Sequence, residues 1–239
     1  MARCFVGLPQ LRGKLKRYAE RFDMLELRLD DSAMPDPAKL ERWRSQVPPS
    51  FAFSVVLPKV VGELAAGPAF DRALARSLDA ARALQARCII LATPATVRPT
   101  KANRERLVEV GSKLLEHGHV VGWQAFGIWE LEDVIATSHR AGLLPVLDAA
   151  RDPLPPGPIV YTRILALGQS SQLGAASIDR IAQQLHGRRE AFVVVDAEAA
   201  GRVREALATA TERREPRRLA PTLFRPGQPP VLTADDEEQ

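Results

Sequence analysis

A chain of 239 residues with 46% hydrophobic side chains holds enough apolar material for one large core, yet it contains no run approaching the roughly 20 apolar residues of a membrane helix. Two cysteines are too few for a disulfide scaffold, and Cys4 and Cys88, both inside apolar strand-like runs, read as buried reduced thiols. A formal charge of +4 and a pI near 9.4 permit anionic partners, nucleic acid included, but the excess is too small to identify one. At the N-terminus, Arg12, Lys14 and Lys16 arrive where a signal peptide needs an apolar region, so the expected location is the cytoplasm.

Residues 3–8, RCFVGL, read as a first strand, and Leu11, Leu15, Tyr18, Ala19 and Phe22 put an apolar stripe on a first helix. In residues 23–29, DMLELRL, Leu25, Leu27 and Leu29 alternate with Met24, Glu26 and Arg28, the period-two signature of a strand whose faces meet different surroundings. One face carries charge. Asp36 and Pro37 supply a cap and a first-turn proline, Leu40, Trp43 and Val47 recur at helical spacing, and Pro48-Pro49 ends the helix. Residues 51–57, FAFSVVL, form the next strand. Strands joined through a helix make a crossover unit, which predicts parallel pairing and a right-handed connection.

Residues 22–59 resemble the diagnostic segment of the domain of unknown function 72 family, the YecE-like barrels. That pattern runs close to V-E-I-N-x-T-F-Y, a proline near a helix start, a helix ending in tryptophan, P-x-x-F-x-F, and V-K-x-P. Glu26, Pro35 or Pro37, Trp43, Phe51, Phe53, Val55 and Pro58 stand here in the same order. The resemblance implies a TIM barrel together with several replacements. Arg28 stands for the family asparagine, Asp30 for threonine, Asp31 and Ser32 for the aromatic pair, and Val56 for the lysine of V-K-x-P. Further on, Tyr161-Thr162-Arg163-Ile164 is similar to Y-V-R-L-H-G, with Leu165 in place of histidine, and Gly122-Trp123-Gln124 stands where E-x-R-H is usual. The activity of the family is not established, so the resemblance implies a fold and not a reaction.

Downstream, Phe70, Leu74, Leu78, Ala81 and Leu84 mark a helix, and residues 87–92 are a mostly apolar run typical of a strand buried on both faces. Leu107, Val110, Leu114 and Leu115 mark the next helix, residues 119–124 the fifth strand, and Leu131, Val134 and Ile135 a further helix. Strands follow at 143–148, 159–164 and 192–196, with a helix through Ile178, Ile181, Ala182 and Leu185 and a last one over 199–211. Gly118, Gly142 and Gly187 each stand where a helix gives way to a strand, a place that favours a left-handed residue without a Cβ. Between 148 and 159 the prolines of AARDPLPPGP forbid a regular helix. The α/β alternation therefore predicts a (β/α)8 TIM barrel whose sixth helix is replaced by a proline-rich loop. An open doubly wound sheet would bring a glycine-rich phosphate turn after its first strand, and Gly7-Leu8-Pro9-Gln10 is no such turn. The expected barrel domain spans 1–211; residues 212–239, basic, then proline-rich, then acidic, read as a disordered tail.

Such a barrel carries its site at the C-terminal ends of its strands. Glu26, Arg28, Asp30, Thr93, Gln124, Asp148, Tyr161, Arg163 and Asp196 fall there. By alternation Glu26 shares a face with Arg28, and Tyr161 with Arg163; charges on an interior face must be paired. Two readings stay open. Arg28 and Arg163 clamp an anionic ligand beside Glu26 and Asp148, or the same residues form an internal ion-pair network that fixes strand register. Gly168, Ser170, Ser171 and Gly174 stand after the seventh strand, where barrels bind phosphate through loop amides, against the plainer reading of a solvated loop. His117, His119, His139 and His186 fall at the opposite end, so neither a metal site nor a cofactor is expected. The leading expectation is a non-catalytic barrel that binds an anionic small molecule or a protein partner, with no catalytic residue assigned. The alternative is a hydrolase or lyase acting on a phosphorylated or nucleic-acid substrate.

Overall fold

A computed structural model describes residues 3–30, 34–164, 175–195 and 200–213. Its strands are β1 Arg3–Leu8, β2 Met24–Arg28, β3 Ala52–Val56, β4 Cys88–Thr93, β5 Val120–Ala125, β6 Leu144–Pro145, β7 Ile159–Ile164 and β8 Glu190–Val195. All pair in parallel in the order β6-β5-β4-β3-β2-β1-β8-β7. The two ends of that order meet where Leu147 bridges Thr162 and the Arg163 amide donates to the Leu147 carbonyl at 3.1 Å, so the sheet curls into a TIM barrel.

Around it lie α1 Leu15–Ala19, α2 Pro37–Ser45, α3 Lys59–Gly62, α4 Pro68–Ala83, α5 Lys101–Leu115, α6 Leu131–Ala141, α7 Ala175–Leu185 and α8 Ala200–Arg213. Local chemistry sets their ends. Asp36 accepts from the Ala38 amide at 3.0 Å with Pro37 in the first turn of α2, and Gly118, Gly142 and Gly187 close α5, α6 and α7 at φ of 74°, 70° and 74°. As the prolines require, no helix separates β6 from β7. The short α3 was not expected from the sequence. The sixth strand is shorter than its apolar run suggests, because Pro145 offers no amide and the chain turns at Asp148, whose carbonyl accepts from the Arg151 and Asp152 amides at 2.9 and 2.7 Å.

Alternation along the strands feeds two separate cores. One lies between sheet and helices and contains Leu25, Phe53, Ile89 and Trp123; the other fills the barrel with Phe5, Met24, Val56, Ile90, Tyr161 and Phe192. Inside, Phe5 stacks on Phe192 with ring centres 5.0 Å apart, and Phe192 faces Tyr161 at 6.0 Å. Arg87 covers the floor of this column, 4.9 Å from the Phe5 ring, and pairs with Glu190. With the N-terminal end sealed in this way, polar interior groups are left to the other end.

Candidate functional site

Register brings the polar groups together. Glu26 on β2 lies opposite Ser54 on β3, and Arg28 opposite Val56; on the far side of the barrel Tyr161 and Arg163 lie opposite Phe192 and Val194. Across the interior the Tyr161 hydroxyl donates to Glu26 Oε2 at 2.6 Å, and Ser54 Oγ lies 2.9 Å from that hydroxyl. Because a phenol has one proton, Ser54 is the donor in the second contact. Arg163 Nε donates to the same Glu26 oxygen at 3.0 Å, and Nη1 donates to Gln124 Oε1 at 2.5 Å. Its remaining nitrogen, Nη2, is in ion-pair contact with Glu26 Oε2 at 2.5 Å but makes no hydrogen bond among the described residues.

Glu26 is 1% exposed and Arg163 5%, which places the pair in the barrel wall rather than on its rim. An ion pair so deep loses most of its hydration, and its net worth depends on hydrogen bonds such as those from Tyr161 and to Gln124. Burial foremost, and then the Glu26 charge, hold the Tyr161 phenol well above its ordinary range, so it remains a donor.

Arg28, the next residue of β2 on the same face, is exposed and forms no ion pair among the described residues. Asp148 is buried and accepts from the Ala150 amide at 3.0 Å, and Asp30 is exposed. Thr93 is not part of the cluster: it accepts from the Trp123 indole at 3.0 Å on the helix side of the sheet. Asp196, Leu165 and the loop residues Gly168, Ser170, Ser171 and Gly174 lie outside the described residues. Reading the sequence missed Ser54, although it is the one polar interruption of FAFSVVL and falls on the same face as Ala52 and Val56. No group of three His, Cys, Asp or Glu able to hold a metal occurs among the described residues, and no described helix is long and apolar enough to cross a membrane.

Fold and site define a TIM-barrel protein with a buried Glu–Arg–Tyr cluster near the C-terminal ends of β2 and β7. The family model for proteins of unknown function DUF72 matches residues 6–126, more than half of the chain, and the chain belongs to that family. The match contains the segment around Glu26 and Pro58 on which the resemblance was drawn and ends at Phe126. Beyond it the likeness is structural. A DUF72 family protein from Enterococcus faecalis V583 superposes with a TM-score of 0.64 at 13% identity, covering 89% of this chain and 97% of that one. One from Thermotoga maritima MSB8 gives 0.60 at 15% identity over 88% and 98%. An L-ribulose 3-epimerase gives 0.56 at 14% identity over 83% and 89%. No curated protein matches the sequence.

The buried acids carry a pH prediction. Burial, then Asp23, pushes the Cys4 thiol up to about 12, and burial raises Cys88, Tyr18 and Tyr161 as well. Unfolded thiols and phenols ionise near about 8.5 and 10, so below those values all four are neutral in both states. Above them the unfolded chain sheds protons that the folded chain keeps, and stability falls by up to about 1.4 kcal/mol per pH unit for each group. Urea midpoints should therefore drop steeply above about pH 10. A flat profile through that range contradicts the burial of Cys88, Tyr18 and Tyr161; Cys4 is half-buried.

Proposed function

We propose that the barrel binds a small anionic ligand at its C-terminal mouth, with Arg163 meeting it from the wall and Arg28 from the rim. Glu26 then serves as the anchor that orients Arg163 and not as an acid or base. The observation that supports this is the Arg163 guanidinium: Nε and Nη1 are engaged in hydrogen bonds, while buried Nη2, in ion-pair contact with Glu26 at 2.5 Å, makes no hydrogen bond among the described residues. A buried guanidinium N–H without a hydrogen bond is costly, and a carboxylate or phosphate oxygen supplies a charge-assisted one. Asp148, one residue past the Leu147–Thr162 bridge that closes the barrel, borders the same end.

A hydrolase or lyase is the competing reading; the likeness of the fold to that of an epimerase leaves room for an enzyme without favouring that reaction class. Fold likeness does not carry activity. In that reading Glu26 would have to act while its Oε2 already accepts hydrogen bonds from both Tyr161 and Arg163.

Thermal shift at low ionic strength with inorganic phosphate, citrate and adenosine monophosphate tests the proposal. A ligand at a hundredfold its Kd adds about 2.7 kcal/mol, which corresponds to roughly 5–10 °C for a chain of this size. Arg28→Gln should weaken the response. Absence of a shift with every one of these anions overturns the reading, and turnover of a phosphorylated probe lost in Glu26→Gln moves the case to the enzyme.

A further inference from the structure

We propose that the outer face formed by α1 and by the loop after β1, beside the barrel mouth, is a docking surface for the phosphate backbone of double-stranded nucleic acid. Residues 12–21 contain Arg12, Lys14, Lys16, Arg17 and Arg21 against Glu20, five positive charges less one negative, or +4. That equals the formal charge of the entire chain, so the other residues balance to zero. All five cations are exposed, and none forms an ion pair among the described residues. Elsewhere Lys59, Lys101 and Lys113 each have a glutamate four residues away.

The fold holds this face in place. Leu15 and Tyr18 are the buried side of α1, and the Tyr18 hydroxyl accepts from the Leu8 amide and donates to the Met24 carbonyl, both at 2.8 Å. With that side tied to β1 and β2, Lys14, Lys16, Arg17 and Arg21 turn to solvent. A groove of about 650 Å³ is lined by Arg12, Lys14, Arg17 and Arg21, with Glu20 and the edges of Leu8, Tyr18 and Phe22.

The chemistry of the face selects its partner. Single strands need exposed rings for bases to stack on, and the rings here, Tyr18 and Phe22, are buried. Stable protein partners need an apolar anchor, and the large hydrophobics exposed among the described residues, Leu115, Phe126 and Ile128, belong to other segments. Cations without either feature read charge spacing alone, which is sequence-independent backbone binding.

Fluorescence anisotropy of the full chain with a short labelled DNA duplex of arbitrary sequence tests this. Each neutralised phosphate contributes about −0.9 to the slope of log Kobs against log salt, so four or five contacts give about −4. The variant Arg12→Gln/Lys14→Gln/Arg17→Gln should flatten the slope by about 2.7 and weaken binding at least roughly tenfold at low salt. Arg72→Gln/Arg76→Gln, exposed on α4, should leave the slope unchanged. The same slope in the first variant as in the unaltered protein overturns the proposal. So does a polyglutamate peptide or a single strand that competes as well as the duplex does. Arg28 and Arg163 are untouched, so stabilisation by small anions at the mouth should persist in the triple variant, which separates failure of this proposal from failure of that site.

Discussion

Glu26→Ala lowers the stability of the barrel by about 3–5 kcal/mol, the usual cost of leaving one member of a buried ion pair alone. The change removes the acceptor of Arg163 Nε and of the Tyr161 hydroxyl in one step. For a chain of this size the melting temperature should fall by roughly 6–20 °C in calorimetry. Replacing both partners, Glu26→Leu with Arg163→Met, recovers most of the loss, because an apolar pair of similar volume incurs no desolvation penalty. The same double variant separates structure from binding: it should be folded yet no longer stabilised by anions. A Glu26→Ala protein that melts within about 2 °C of the unaltered chain would remove the pair from the account of stability.

Gly7→Ala is the second change of large expected effect. A Cβ at Gly7 would stand 2.1 Å from the Met24 carbonyl oxygen, and Gly7 is paired with Met24 in the β1–β2 ladder. Backbone cannot rotate away, so the cost lies at the top of the overpacking range, about 3 kcal/mol or more. Gly122→Ala offers the contrast. Its nearest neighbours would be the Ile90 and Val146 methyl ends, both at 2.8 Å, and side chains can shift, so about 1 kcal/mol is expected. Urea unfolding of the two variants should rank them in that order, and the reverse ranking would contradict the packing described for the barrel wall.

At Gly122 the room inside the barrel is filled by Ile90 and Val146. Val56 is wholly buried in the inner core opposite Arg28. On the β3–β5 side the wall is thus largely apolar, while its charge is gathered on β2 and β7.

Much of the fold was legible because its signals are local. Period-two runs gave the strands, Gly118, Gly142 and Gly187 marked helix ends that do adopt left-handed backbone, and the prolines between 148 and 159 excluded a helix whatever the rest of the chain did. Misreadings were local as well: the apolar run 143–148 overstated β6 because Pro145 and the turn at Asp148 compete with pairing. Alternation also showed that Glu26 and Arg28 share a face, as do Tyr161 and Arg163.

The sequence by itself could not say which surroundings that face meets or which residue stands opposite. Tyr161 meets Glu26 across 135 positions of chain, and Arg163 meets Gln124 across 39. Those meetings depend on the register of every intervening strand and on closure at Leu147 and Thr162, quantities that accumulate around the barrel and are set by packing of the whole sheet. Local periodicity determined the elements; only the closed sheet decided which of their charges are buried together and which, like Arg28, are left facing water.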